Sequence, residues 1–235
     1  MTTEPIARVQ IAGVHDHAEA VMLAEAGVAW IGIPLCLPVN REDLTRDEAA
    51  AVVAAGAPPA TFVLITYLRR GVEIARLAQR LGVRHVQIHG PVAPPDLAIL
   101  REALPGVVVI KSLVVQPGQP ADELLRLQEH LAAHVDAFIL DTYDPTTGAS
   151  GATGRTHDWS VSRAIVMASP RPVIMAGGLT PSNVRQAILA VRPAGVDAHT
   201  GVEGPDGRKD PARVRAFVAA AHGAFAELDA AAGHA

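Results

Sequence analysis

The chain has 235 residues and a net charge of -4, with 49% hydrophobic but only 3% aromatic residues and one cysteine, Cys36. No basic block accompanies that charge, which argues against nucleic acid as a partner, and a lone thiol excludes an intrachain disulfide. The opening MTTEPIARVQ lacks a secretory apolar run and no segment has the length of a membrane span, so the sequence predicts a cytoplasmic protein without a membrane partner.

Strand-like apolar runs fall at residues 8–12, 28–35, 60–65, 85–88, 107–110, 136–140, 172–176 and 195–198. Segments with helical spacing lie between them, including Ala18 to Ala26, Val72 to Leu81, Pro95 to Leu104, Asp122 to Ala133 and Val161 to Ala168. A last helix is expected from about Pro211 to Leu228, followed by a frayed tail over Ala230 to Ala235. Strands alternating with helices imply a parallel sheet, and this many units favour a closed (β/α)8 TIM barrel forming a single domain over residues 1–235. With so few aromatics the core must be built from Ala, Val, Leu and Ile. The Gly- and Thr-rich stretch at 146–154 is long enough to be a lid.

In such a barrel the chemistry sits at the C-terminal ends of the strands. The seventh run stops at Gly177-Gly178, with Thr180 and Pro181 placed to cap and open a helix, and the eighth is followed by His199-Thr200-Gly201. Glycines let backbone approach a ligand closely, and loops after the last two barrel strands commonly grip phosphate. The bland alternative is that they only permit tight turns. Asp141 closes the run FIL, where burial would raise its pKa and suit it to general acid work, or where it could brace the following loop. His89 ends VQIH and faces either a ligand or a backbone carbonyl. Arg41 could pair with a substrate carboxylate or lie in solvent. The cluster His15-Asp16-His17 invites a metal reading, but Asp16 is better placed as a helix N-cap, so neither metal nor cofactor is expected.

The motifs VQIHG (86–90), ILD (139–141), GATGRTHDW (151–159), MAGGLTPSNV (175–184) and GVDAHTGVE (195–203), followed by Lys209-Asp210, together resemble the phosphoribosylanthranilate isomerase family. The resemblance spans nearly the whole chain. It implies a (β/α)8 barrel that opens the ribose ring of an N-phosphoribosyl amine and rearranges it to a 1-amino-1-deoxyribulose phosphate, in tryptophan biosynthesis. It further implies Asp141 as general acid, Gly177, Gly178 and Gly201 as phosphate-binding backbone, Arg41 as partner of the anthranilate carboxylate, and His89 and Asp197 as substrate-lining residues. The implied partner is a phosphorylated small molecule, and the sequence does not indicate an oligomeric state.

The chain departs from the family pattern at defined places. Where the family has Lys-Ile-Cys-Gly, with the cysteine as general base, this chain has Gln10-Ile11-Ala12-Gly13. At the fifth strand Lys111-Ser112-Leu113-Val114 replaces Lys-Ala-Ile-Arg, and His199 stands where a small serine is usual. Another residue must then remove the proton, with His199 or Cys36 as candidates. The alternatives are a related barrel enzyme acting on another phosphorylated sugar or carboxylated substrate, and a non-catalytic phosphosugar-binding homologue.

Overall fold

A computed structural model describes residues 6–39, 42–116, 121–142 and 159–232. Eight parallel strands close into a barrel in sequence order: β1 (Val9–Ala12), β2 (Trp30–Leu35), β3 (Thr61–Thr66), β4 (His85–Ile88), β5 (Val108–Val115), β6 (Ala137–Thr142), β7 (Val173–Met175) and β8 (Gly195–Ala198). Closure is made by β1 pairing with both β2 and β8, Ile11 standing opposite Ile31 on one side and Ala198 on the other. Seven of the eight α-helices among the described residues provide the crossovers between consecutive parallel strands, and the last helix follows β8. The eight are α1 (His17–Glu25), α2 (Arg46–Ala55), α3 (Gly71–Leu81), α4 (Pro94–Ala103), α5 (Ala121–Leu131), α6 (Trp159–Ala168), α7 (Val184–Val191) and α8 (Pro211–Ala232).

The expected strands are all present, and the differences are at their ends. β5 runs five residues beyond the expected stop at 110, because Lys111 and Ser112 pair with Phe138 and Ile139 of β6 although they break the apolar run. The helix α2 goes beyond the segments picked out by apolar spacing. It starts on a capping box in which the Thr45 side chain accepts from the Glu48 N–H and the Glu48 carboxylate accepts from the Thr45 N–H. Asp16 caps α1 as expected, accepting from the Glu19 N–H. Two expectations need correcting. The regular part of α7 begins at Val184 rather than at Pro181, because Asn183 accepts from the Thr180 N–H and donates to the Gly178 carbonyl, holding a tight turn first. The last helix also continues through Ala232, so residues 230–232 are helical rather than frayed.

Side chains alternate between two apolar layers. One face of the strands, with Ile11, Ile31, Leu64, Val86, Val109, Phe138 and Val196, packs outward under the helices. The other fills the barrel, where Trp30, Val63, Ile110, Ala137, Ile139 and Ile174 form a floor with Ile6 and Ala7 packed against it. Above that floor the inward positions turn polar, which places the chemistry at the mouth. No helix among the described residues is long and apolar enough to cross a membrane.

Candidate active site

The last three strands deliver their ends to one narrow cavity. Asp141 on β6, Gly177 and Gly178 after β7, Asp197 on β8, and His199 and Gly201 after β8 all line it. Six of the residues singled out in the sequence are thereby brought together. Arg41, and the stretch at 146–154 read as a lid, lie outside the described residues. His89 faces inward at the end of β4 but does not line this cavity.

Asp141 and Asp197 are almost wholly buried, with 4% and 7% of their surface exposed. Burial is the main cause that pushes the Asp141 carboxyl up to about 7; the neighbouring Asp197 charge adds to it, and the Thr142 N–H donated at 2.8 Å opposes it. Asp197 is likewise pushed up to about 7 by burial, against a hydrogen bond from Gln10 and the charge of Lys209. A carboxyl so placed keeps a substantial protonated fraction at neutral pH and can donate that proton to a developing oxyanion or ether oxygen. The Asp197 Oδ1 has no hydrogen-bond partner among the described residues.

The glycines that line the same cavity are required by geometry. Gly177 and Gly178 have φ of 93° and 62°, in the left-handed region that side chains disfavour. A Cβ on Gly201 would overlap the Leu179 carbonyl, so the two loops pass backbone against backbone there. Because Asn183 engages the Gly178 carbonyl and the Thr180 N–H, it fixes the orientation of the peptide groups facing the cavity. Such a wall suits an anion.

Inside the mouth a relay of amides crosses the barrel. The Gln10 Nε2 donates to the Gln87 Oε1 at 2.8 Å, and the Gln87 Nε2 donates to the His89 Nε2 at 2.7 Å. His89 therefore carries its proton on Nδ1. Burial, with the positive Lys111 nearby, pushes its pKa down to about 3, so the ring is neutral. The His89 Nδ1, Gln10 Oε1 and Ser112 Oγ are buried without a protein partner among the described residues. Gln10 and Gln87 escaped the sequence reading. The signal was there in the polar-apolar alternation of His85-Val86-Gln87-Ile88-His89, which marks an inward polar face.

Over β1 the strand end supplies only Ala12 and Gly13. The space above Gly13 is taken by His199 and Asp43, both of which a Cβ at Gly13 would strike. His199 lies 3.3 Å from Glu203 and 3.9 Å from Asp43, each measured from its Nε2. Burial, with Lys209 and His15 nearby, pushes its pKa down to about 3, so the imidazole is neutral at pH 7. Asp43, Glu203 and Lys209 were not legible as site residues, because Asp43 comes from the loop after β2 and the other two from the loop after β8, and they meet only in the fold. Cys36, the other candidate base, packs on the outer layer with its Sγ accepting from Arg46 at 3.2 Å, and is not among the cavity residues. The His15-Asp16-His17 cluster is otherwise engaged. His15 bonds Glu19, Asp16 caps α1 and His17 bonds the Gly56 carbonyl.

Closed parallel barrel, polar mouth and buried carboxylates define a (β/α)8 barrel of the enzyme type, its site at the C-terminal ends of the strands. The family description "N-(5'phosphoribosyl)anthranilate (PRA) isomerase" matches residues 10–220. The chain belongs to the phosphoribosylanthranilate isomerase family. It is 41% identical over 224 residues to an N-(5'-phosphoribosyl)anthranilate isomerase of Haloferax volcanii, covering 94% of this chain and 96% of that one. It is 38% identical over 213 residues to N-(5'-phosphoribosyl)anthranilate isomerase 2 of Methanosarcina mazei, covering 90% and 92%. Among solved structures, phosphoribosyl anthranilate isomerase from Thermotoga maritima superposes with a TM-score of 0.75 at 28% identity, over 93% of this chain and all of that one. Another is a complex with reduced 1-(o-carboxyphenylamino)-1-deoxyribulose 5-phosphate, with a TM-score of 0.74 at 25% identity and the same coverage.

Proposed function

We propose that the chain isomerises phosphoribosylanthranilate, or a close N-phosphoribosyl amine, to the 1-amino-1-deoxyribulose 5-phosphate. The observation that carries this is that Asp141, its pKa raised by burial, lines one cavity with Gly177, Gly178 and Gly201. The phosphate docks on that glycine wall, which holds the sugar with its ring oxygen toward Asp141. Asp141 gives its proton to the ring oxygen as the C1–O bond breaks, and the amine nitrogen supplies the electron pair that makes a C1 iminium. A base then removes the C2 proton. The C–H pair forms the C1–C2 double bond, the iminium nitrogen recovers its lone pair, and the enaminol tautomerises to the ketone.

Ala12 cannot be that base. His199, neutral above Gly13, takes the role and Asp197 lines the sugar, while His89, outside the cavity, is assigned to the substrate by resemblance alone. Arg41 is assigned the anthranilate carboxylate by resemblance alone. The test is direct: purified protein is given phosphoribosylanthranilate, and product is followed by chromatography and mass. Turnover supports the reading. Binding of phosphorylated sugars without turnover would shift it to a related substrate, and neither turnover nor binding would refute it.

A further inference from the structure

Around the end of β1 the polar side chains form a closed circuit. The His199 Nε2 faces the Glu203 Oε1 at 3.3 Å, and that oxygen accepts from the Lys209 Nζ at 2.6 Å. The Lys209 side chain is wholly buried, its Nζ also lies 3.3 Å from the His199 carbonyl, and its backbone N–H donates to the Glu19 Oε1 at 2.6 Å. The Glu19 Oε2 accepts from the His15 N–H at 2.7 Å and lies 3.2 Å from the His15 Nδ1. The His15 Nε2 is 3.7 Å from Asp43, which returns to the His199 Nε2 at 3.9 Å. Arg208 adds a guanidinium 3.9 Å from Glu19.

This circuit exceeds what a capping loop needs. A buried ammonium clamps one carboxylate, and that carboxylate is aimed at one nitrogen of one imidazole. At 3.3 Å the Glu203 carboxylate favours the tautomer with the proton on Nε2 and the lone pair on Nδ1. The arrangement places a carboxylate beside the histidine, where its charge would favour one tautomer and an imidazolium, against the burial and the Lys209 and His15 charges that hold the ring neutral.

We propose that Glu203, locked by Lys209, is the positioning residue of a histidine base that substitutes for the thiol missing at Ala12, with His199 Nδ1 as the working nitrogen. The proposal rests on the isomerase reading above. In the step concerned the C2 proton passes to Nδ1, the ring becomes an imidazolium with its Nε2–H facing Glu203, the C2–H electron pair forms the C1=C2 double bond of the enaminol, and the iminium π pair returns to nitrogen. The carboxylate acts on the ring and not on the substrate, so its removal should slow chemistry and leave binding alone.

Two measurements test it. Nitrogen-15 spectra of histidine-labelled protein, with His199 assigned from the His199→Gln variant, should show the proton on Nε2; a proton on Nδ1 would overturn the proposal irrespective of any activity. In kinetics, Glu203→Gln should lower kcat roughly 10–100-fold with KM nearly constant, and should move the acidic limb of the kcat profile to lower pH, because the imidazolium loses its counter-charge. The same change made on a His199→Ala background should cost nothing more. Full activity in a folded Glu203→Gln variant would sink this inference and leave the isomerase reading standing. Absence of turnover in the unmodified protein sinks the isomerase reading, and the tautomer then decides the arrangement alone. Should Glu203→Gln fail to fold, Glu203→Asp serves, since a shortened carboxylate is expected to retain charge but lose part of the rate.

Discussion

The barrel mouth divides into two arcs that are built differently. Over β6, β7 and β8 the groups facing the cavity belong to the strand ends themselves or to the residues just after them: Asp141, Gly177, Gly178, Asp197. Over β1 and β2 the strand ends contribute Ala12 and Gly13, and polar atoms are brought in from loops, Asp43 after β2 and Glu203 after β8. A residue on a strand is positioned by sheet register, which its neighbours determine. A residue on a loop is positioned by whatever side chains hold it. The arc proposed to hold the acid and the phosphate can therefore keep its form while the arc proposed to hold the base is rebuilt, which is how a chain of this family can carry Ala12 at the end of β1.

The comparison is tested most severely on the acid side. Asp141→Asn should reduce kcat by roughly 10²–10⁴-fold in steady-state assays, since the amide has no proton to give. The unmodified enzyme should lose kcat/KM as pH rises above about 7, where Asp141 gives up its proton. Stability has its own sign. A carboxyl raised from 3.8 to about 7 binds a proton in the folded chain that the unfolded chain releases, so its contribution is full below pH 3.8 and lost as pH rises through about 7. At pH 8 the Asn variant should therefore melt above the unmodified protein, by roughly 2–4 °C for each kcal/mol relieved. A lower melting temperature at pH 8 would overturn that sign and mean that the folded protein favours the ionised carboxylate.

On the base side, His199→Ala should cost roughly 10²–10³-fold in kcat. The sharper form is a transplant. Ala12 lies on the inward face at the end of β1, beside the space His199 fills, so Ala12→Cys with His199→Ser should recover part of the lost turnover through a thiolate. Recovery would demonstrate that the two arcs are independent. A transplant no better than His199→Ala alone would mean that the base arc has been reshaped for a different substrate.

How far this was legible in the sequence follows the same division. The fold could be read because each strand is an apolar run ending at a glycine or a polar residue, and Asp141, Gly177 and Gly178 stand at those stops. The helix α2 was less visible, since its onset rests on the Thr45 and Glu48 pair rather than on apolar spacing. The base arc could not be read. Lys209 meets Glu19 across 190 residues and Gln10 meets Gln87 across 77, and nothing local in either segment announces the encounter. His199 stood out only through its contrast with a family pattern, and its partners did not.

A smaller effect belongs to the phosphate wall. Gly178→Ala forces a side chain into φ of 62°, at a cost of about 1–2 kcal/mol, and turns the peptide that faces the cavity. KM should rise roughly tenfold while kcat changes little, because the wall binds ground and transition states alike. A matching fall in kcat would place the wall in the chemistry and blur the boundary between grip and acid.

The smallest effect is expected at Asp43, and it discriminates within the base arc. Its carboxyl is raised by burial, with His15 and Lys209 pulling the other way, and its side chain keeps 23% exposure. At 3.9 Å from the His199 Nε2 it is too far for a hydrogen bond, so it acts through charge alone and solvent screens it. Asp43→Asn should then lower kcat only about two- to five-fold, the scale of a partly exposed ion pair. Glu203 is nearer and is fixed by a buried ammonium, so its substitution must cost more. If Asp43→Asn proved the costlier of the two, the histidine would be oriented from the β2 side, and the working nitrogen would have to be reassigned with it.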